Sequence, residues 1–216
     1  MENFVMLSEP ASLAPWITLA LFTFSTSITP GPNNLMLTMT GAHFGLRAAL
    51  PALLGIVAGM ALLIILASAG VASLLLAFPL LDMVLRGLGL VYLLWLAWTL
   101  CASDARLHGR EVQRPMTLLE AVLFQFTNPK AWMMAVTAAS VFAPALLPME
   151  AGLADRLAAT LAVVLSFALI GGPCVASWAV LGALLQRWLQ QGQRLQFFNR
   201  LMGLLLAITA VAMAGA

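Results

Sequence analysis

Long apolar runs alternate with short polar connectors along this chain, and the runs set its architecture. Six of them, about Pro15–Met39, Ala48–Leu76, Leu80–Leu100, Thr117–Val141, Leu157–Leu185 and Phe197–Met213, approach or exceed the roughly twenty residues that an α-helix needs to cross the hydrocarbon core of a bilayer. The pattern predicts an all-α polytopic membrane protein with six transmembrane helices, forming a single transmembrane domain over residues 1–216. The one strongly polar connector, with Ser103, Asp104, Arg106, His108, Arg110, Glu111, Gln113 and Arg114, falls near the middle of the chain. It separates a first repeat of about 15–100 from a second of about 117–213, the connector itself occupying 101–116. Three crossings per half start the second half on the opposite face of the membrane, so the two are expected as inverted repeats.

Two of the runs cannot be smooth helices. Segment one contains Thr29-Pro30-Gly31-Pro32-Asn33-Asn34, and segment four contains Gln125-Phe126-Thr127-Asn128-Pro129-Lys130. Proline lacks the backbone donor and clashes with the preceding turn, so each stretch is expected to break or kink its helix. In the inverted arrangement the two breaks fall at comparable depth and can meet at the midplane. Segment five carries Gly171-Gly172-Pro173, an expected interruption that reads either as a local hinge or packing gap or as a gate. Gly55-x3-Gly59 in segment two reads as a small-residue stripe for close helix contact.

Composition strengthens the membrane reading: 62% of the residues are hydrophobic and 8% charged, against about a quarter charged in soluble domains. It also narrows the chemistry. With two cysteines and two histidines, none at ligand or redox spacing, neither a metal centre nor a disulfide framework is indicated. No nucleophile–base arrangement or phosphate-cradling loop appears, so an enzyme and a bound cofactor are not expected. Basic and aromatic residues are not interleaved as nucleic-acid binding would need. The first fourteen residues carry Glu2 and Glu9 and no basic residue, unlike a cleaved signal.

Charge position sets the expected orientation. Connectors one, three and five hold Arg47, Arg106, Arg110, Arg114, Arg187, Arg194 and Arg200, whereas the other side holds Arg86 and Arg156 with Glu2, Glu9, Asp82, Glu150 and Asp155. The basic side is the cytoplasm by the positive-inside rule, so both termini are expected outside.

The breaks concentrate the polar chemistry. Asn33, Asn34, Gln125 and Asn128 both donate and accept hydrogen bonds, and Thr29 and Thr127 add hydroxyls. Helix N-termini at the breaks favour an anion, and Lys130 supplies a positive charge there. The set suits a solute carboxylate. No carboxylate lies at mid-depth, since Asp82 and Glu120 stand near the starts of their segments, so a neutral zwitterion fits better than a dibasic solute. Asp82 and Arg86, four residues apart, share a helix face and form either an anchoring pair or a gating element. Asp82, Glu120 and Lys130 are the titratable candidates for proton coupling. The packing alternative stays open at this stage: asparagines as caps, a snorkelling lysine and kinks repaired by neighbours would describe a non-transporting structural or assembly subunit.

The chain resembles the LysE family of small amino-acid exporters. The resemblance rests on Thr29 to Asn34 (TPGPNN), on Gly45-Leu46-Arg47, on Tyr92-Leu93-Leu94-Trp95-Leu96 after Gly87-x-Gly89, and on Phe126-Thr127-Asn128-Pro129-Lys130-Ala131, and it runs from Trp16 to Met213. It implies export of an amino acid or close derivative across the bacterial inner membrane, driven by a proton or potential gradient. Trp95-Leu96-Ala97-Trp98, Gln186-Arg187-Trp188-Leu189 and Arg194-Leu195 resemble the cysteine and O-acetylserine branch more than the lysine and arginine branch. The implied partners are the substrate, protons and the lipid bilayer, and a homodimer is left open.

Overall fold

The computed structural model describes residues 13–71, 79–102, 114–148, 150–189 and 193–214, and the described residues are helical almost throughout. The helices are α1 (Ala14–Ile28), α2 (Pro32–Phe44), α3 (Leu46–Leu66), α4 (Pro79–Ala102), α5 (Leu118–Thr127), α6 (Pro129–Thr137), α7 (Leu153–Ser166), α8 (Gly172–Leu189) and α9 (Arg194–Ala214). Wider turns of π type continue α3 over Ala67–Val71 and α6 over Ala138–Phe142, and a third joins α7 to α8 over Phe167–Gly171.

Three helical stretches among the described residues are long and apolar enough to cross a bilayer unaided: Leu46–Gly70, Leu153–Leu189 and Arg194–Ala212. The proline stretches of segments one and four do end helices. α1 stops at Ile28 and α2 restarts with Pro32 at its first position, while α5 stops at Thr127 and α6 restarts with Pro129. A proline opening a helix costs nothing, because its missing N–H would have had no partner in the first turn.

Segment five corrects an expectation. Gly171-Gly172-Pro173 does not interrupt the helix, which runs without a gap from Leu153 to Leu189. The extra residue of the π turn accommodates the i→i−4 bond that Pro173 cannot make, so the chain widens locally instead of breaking.

Small residues bring the helices close. A Cβ on Gly182 of α8 would lie 2.0 Å from the Thr38 carbonyl oxygen of α2, and one on Gly41 would lie 2.3 Å from that of Ala179. The Gly55-x3-Gly59 stripe serves the same end. A Cβ on Gly55 would meet the Leu118 carbonyl oxygen at 2.3 Å, and one on Gly59 would meet the Gln125 side chain at 2.5 Å. In lipid, where tails are as apolar as side chains, such close backbone approach is a main source of helix association. It fixes α2 against α8 and α3 against α5, and so sets the spacing of the two breaks.

One end of the bundle gathers the polar termini. The Gln186 amide donates to the His43 carbonyl at 3.3 Å, His43 Nε2 lies 3.0 Å from Asn199 Oδ1, and Cys101 Sγ faces the Arg200 carbonyl. Arg47 and Arg187 follow these contacts directly in sequence, which makes this the basic end. Here Thr117 and Glu120 form a capping box at the start of α5: the threonine hydroxyl accepts from the Glu120 N–H, and the carboxylate accepts from the Thr117 N–H. Asp82 and Arg86 belong to α4, but their side chains lie outside the described residues, as does the connector over 103–113.

Candidate functional site

Interrupting a helix frees carbonyl oxygens that the bilayer interior cannot solvate. Here several of them find protein donors. At the first break the Asn34 amide donates to the Ser27 and Thr29 carbonyls at 2.9 and 2.8 Å, the Trp178 indole to Ile28 at 3.2 Å, and the Thr29 hydroxyl to Thr26 at 2.9 Å. At the second, the Trp132 indole donates to Phe126 at 3.0 Å and the Thr127 hydroxyl to Phe124 at 3.0 Å, while Asn128 Oδ1 accepts from the Lys130 N–H at 3.1 Å as a cap of α6. Of the two first-break asparagines, Asn34 therefore secures the end of α1, a capping role.

Asn33 does something else. It points across to the other broken helix, where its Nδ2 donates to Gln125 Oε1 at 2.9 Å and its Oδ1 accepts from Gln125 Nε2 at 3.2 Å and from Asn128 Nδ2 at 3.1 Å. Gln125 is fully buried and Asn128 nearly so, and the Gln125 amide also donates to the Ala121 carbonyl. The three amides form one mutually satisfied cluster.

Lys130 makes the reciprocal crossing. Its Nζ donates to the Thr29 carbonyl at 3.0 Å, to the Thr29 hydroxyl at 2.9 Å and to the Pro30 carbonyl at 3.3 Å. A cation thus sits on the carbonyl end of α1, where the helix dipole favours it. Gly31 leaves the room: a Cβ there would come within 3.0 Å of Lys130 Cδ. So the residue after the helix-opening proline in each broken segment reaches over to the other segment, Asn33 to α5 and Lys130 to the end of α1.

Between the breaks lies a cavity of about 40 Å³ faced by Asn33, Asn34, Gln125, Asn128 and Lys130, with Met60, Met134 and Phe167 on its apolar side. At roughly 10–15 Å³ per water on this measure it holds a few waters and no amino acid. Gly171 and Gly172 also face it, and a Cβ on Gly171 would meet Ser27 Oγ at 2.9 Å. Among the described residues, one cation and no carboxylate line it. Among the described residues no buried side-chain nitrogen or oxygen is without a partner.

Of the sequence-derived candidates, Gly31, Pro32, Asn33, Asn34, Gln125, Asn128 and Lys130 converge on this cavity, and Thr29 and Pro30 join it through Lys130. Thr127 faces a second, larger cleft instead, together with Glu120. There Glu120 accepts a two-pronged pair of bonds from Arg114, one of them 2.9 Å long, and that bonding and the carboxylate charge raise the Arg114 pKa. Trp132, Trp178 and Ser27 were not legible as site residues. An indole N–H in an apolar run signals a need for an acceptor, but the sequence does not say which carbonyl a distant break sets free.

Replacing Gln125 by leucine is expected to lower the thermal unfolding midpoint of the detergent-purified protein. It strips Asn33 of one acceptor and one donor in a buried site, a loss of about 1–3 kcal/mol.

The LysE type translocator family model matches residues 24–215. The chain is 32% identical to the cysteine/O-acetylserine efflux proteins of Escherichia coli strain K12 and of Shigella flexneri, over 88% of this chain and 92% of theirs. No solved structure matches it. Both proline breaks and the cavity between them fall inside the matched span, and the chain belongs to the LysE-type translocator family.

Proposed function

We propose that the protein is a secondary exporter that carries small neutral amino acids or derivatives, of the cysteine, O-acetylserine, threonine or homoserine type, across the bacterial inner membrane. The observation that carries this reading is the cavity between the two breaks, where four side-chain amides and one lysine converge and no carboxylate stands among the described lining residues. A zwitterion's carboxylate finds Lys130 and amide donors there, and its ammonium finds amide and backbone oxygens. A second cationic group would find no counter-charge. The efflux role of the relatives supports the same direction and substrate class.

The reading includes six crossings in two inverted halves with both termini outside, supported by the gathering of arginines at one end and by the reciprocal reach of Asn33 and Lys130. The substrate path runs over Thr29, Pro30, Gly31, Pro32, Asn33, Asn34, Gln125, Thr127, Asn128, Pro129 and Lys130. Coupling is by proton antiport, with Lys130 the titratable group on the path itself. A purely structural subunit would need the repaired carbonyls but not a cavity that reaches both Asn33 and Lys130.

Counterflow in proteoliposomes tests this. Labelled cysteine, O-acetylserine, threonine and homoserine are expected to exchange saturably, and lysine and arginine not. Exchange confined to lysine and arginine would overturn the substrate class, and no exchange across the panel by folded protein would overturn the transporter reading.

A further inference from the structure

The larger cleft opens at the basic end between α2, α4 and the start of α5, with a volume of about 580 Å³. Arg114 and Glu120 stand in its wall as adjacent opposite charges, and Met36, Met39, Trp95 and Phe124 give it an apolar lining. Its inner wall is made by the same two elements that carry the amide cluster. Met36 faces the cleft and Asn33, one turn earlier on α2, faces the small cavity; Phe124 and Thr127 face the cleft, while Gln125 and Asn128 face the cavity. The elements that carry the Asn33–Gln125–Asn128 cluster therefore wall both a cleft large enough for an amino acid and a pocket that is too small for one.

We infer that the cleft is the antechamber of the transport path, where the amino-acid zwitterion first binds, and that the amide cluster is the partition it must cross to reach Lys130. The inference rests on the substrate class proposed above. A zwitterion matches the cleft in charge, its carboxylate facing Arg114 and its ammonium Glu120, with the side chain against the methionines. It also matches the partition. The two carboxylate oxygens accept from Asn33 Nδ2, Gln125 Nε2 and Asn128 Nδ2, and the ammonium donates to Asn33 Oδ1 and Gln125 Oε1. These are the atoms that now bond to one another, so the solute can replace the bonds it opens. A solute without both groups leaves buried amides unpaired at the crossing, which sets a selection step ahead of the pocket.

Thiol labelling tests the partition. In a background carrying Cys101→Ser and Cys174→Ala, a charged, membrane-impermeant methanethiosulfonate is applied from the face that carries Arg114. The Thr40→Cys variant, in the cleft wall, is expected to react, with excess O-acetylserine slowing it, whereas the Met134→Cys variant, in the pocket wall, reacts about tenfold or more slowly. Adding Asn33→Ala, or separately Gln125→Asn, is expected to speed the Met134→Cys reaction about tenfold, the equivalent of one or two lost hydrogen bonds. Equal labelling of the two positions before the amides are altered would overturn the inference. So would a Met134→Cys position that stays slow in both amide variants while they elute as folded protein, or an unreactive Thr40→Cys position. Wild-type counterflow is read separately. Its absence alongside the expected labelling pattern removes the substrate assignment and leaves the partition standing.

Discussion

Replacing Lys130 by methionine is expected to reduce amino-acid exchange about ten- to hundredfold, with Lys130→Arg recovering part of the loss. Methionine keeps the length and the apolar stem but removes the charge, and with it three donations to the Thr29 carbonyl, the Thr29 hydroxyl and the Pro30 carbonyl. A hydrogen bond from a charged donor contributes about 1.5–3 kcal/mol, so a net difference of one such bond between the states of the cycle, at about 1.4 kcal/mol per factor of ten, corresponds to the stated range. Two effects add. The carbonyl end of α1 loses its cation, and the pocket loses the positive charge its lining residues supply. Arginine retains charge but not the compact ammonium that fits beside Gly31, where a Cβ would already approach Lys130 Nζ to 3.1 Å. Initial counterflow rates at equal reconstituted protein decide the matter. An exchange rate for Lys130→Met equal to wild type would remove the lysine from the mechanism.

Gly182→Ala is expected to have the largest effect on stability. The added methyl would sit 2.0 Å from the Thr38 carbonyl oxygen, 2.8 Å from its carbon and 3.0 Å from the Ala42 nitrogen, all backbone atoms that no rotamer change can move. α2 and α8 would have to part, and overpacking of this kind costs about 1–3 kcal/mol or more. Because α2 carries Asn33, the separation also draws the amide cluster apart. Gly87→Ala is the control. A Cβ at Gly87 meets nothing within 4 Å, and the helix gains about 0.5–1 kcal/mol of propensity. Thermal unfolding in detergent should show a markedly lower midpoint for Gly182→Ala and an unchanged or higher one for Gly87→Ala. A wild-type midpoint for Gly182→Ala would mean that α2 and α8 are not in this contact.

The sequence was informative where the determinant is local. Pro30, Pro32 and Pro129 end and restart helices by their own covalent geometry, so both breaks could be read directly. The Gly55-x3-Gly59 stripe was readable for the same reason, since four residues make about one turn of helix. Gly41 and Gly182 were not, because each packs on a backbone far away in sequence; Gly41 stands four residues before Gly45, but Gly45 caps the end of α2 at φ 84° and carries no packing stripe further. Gly171-Gly172-Pro173 resembled a third break by composition. What carries the helix through is a π turn, which depends on the surrounding packing and has no residue signature of its own. Glu120 stood out as an acidic residue and a coupling candidate. Thr117-x-x-Glu120 is also the pattern of a capping box, and capping with an Arg114 pair is where the structure uses it. The cation at the break could be foreseen from Lys130, but its seat on the Thr29 and Pro30 carbonyls could not. That the two broken segments meet was expected from the inverted halves, but the register in which they meet, which puts Lys130 on these two carbonyls, is set by the tertiary packing.

The most direct test of the central claim, that the space between the breaks is the substrate site, is counterflow of labelled O-acetylserine by wild type and by Asn33→Leu at equal amounts of folded protein. Leucine keeps the branched outline of the side chain but ends the bonds to Gln125 and Asn128. The account predicts saturable exchange by wild type and its loss in the variant. Undiminished exchange by folded Asn33→Leu would contradict it and assign the breaks to packing.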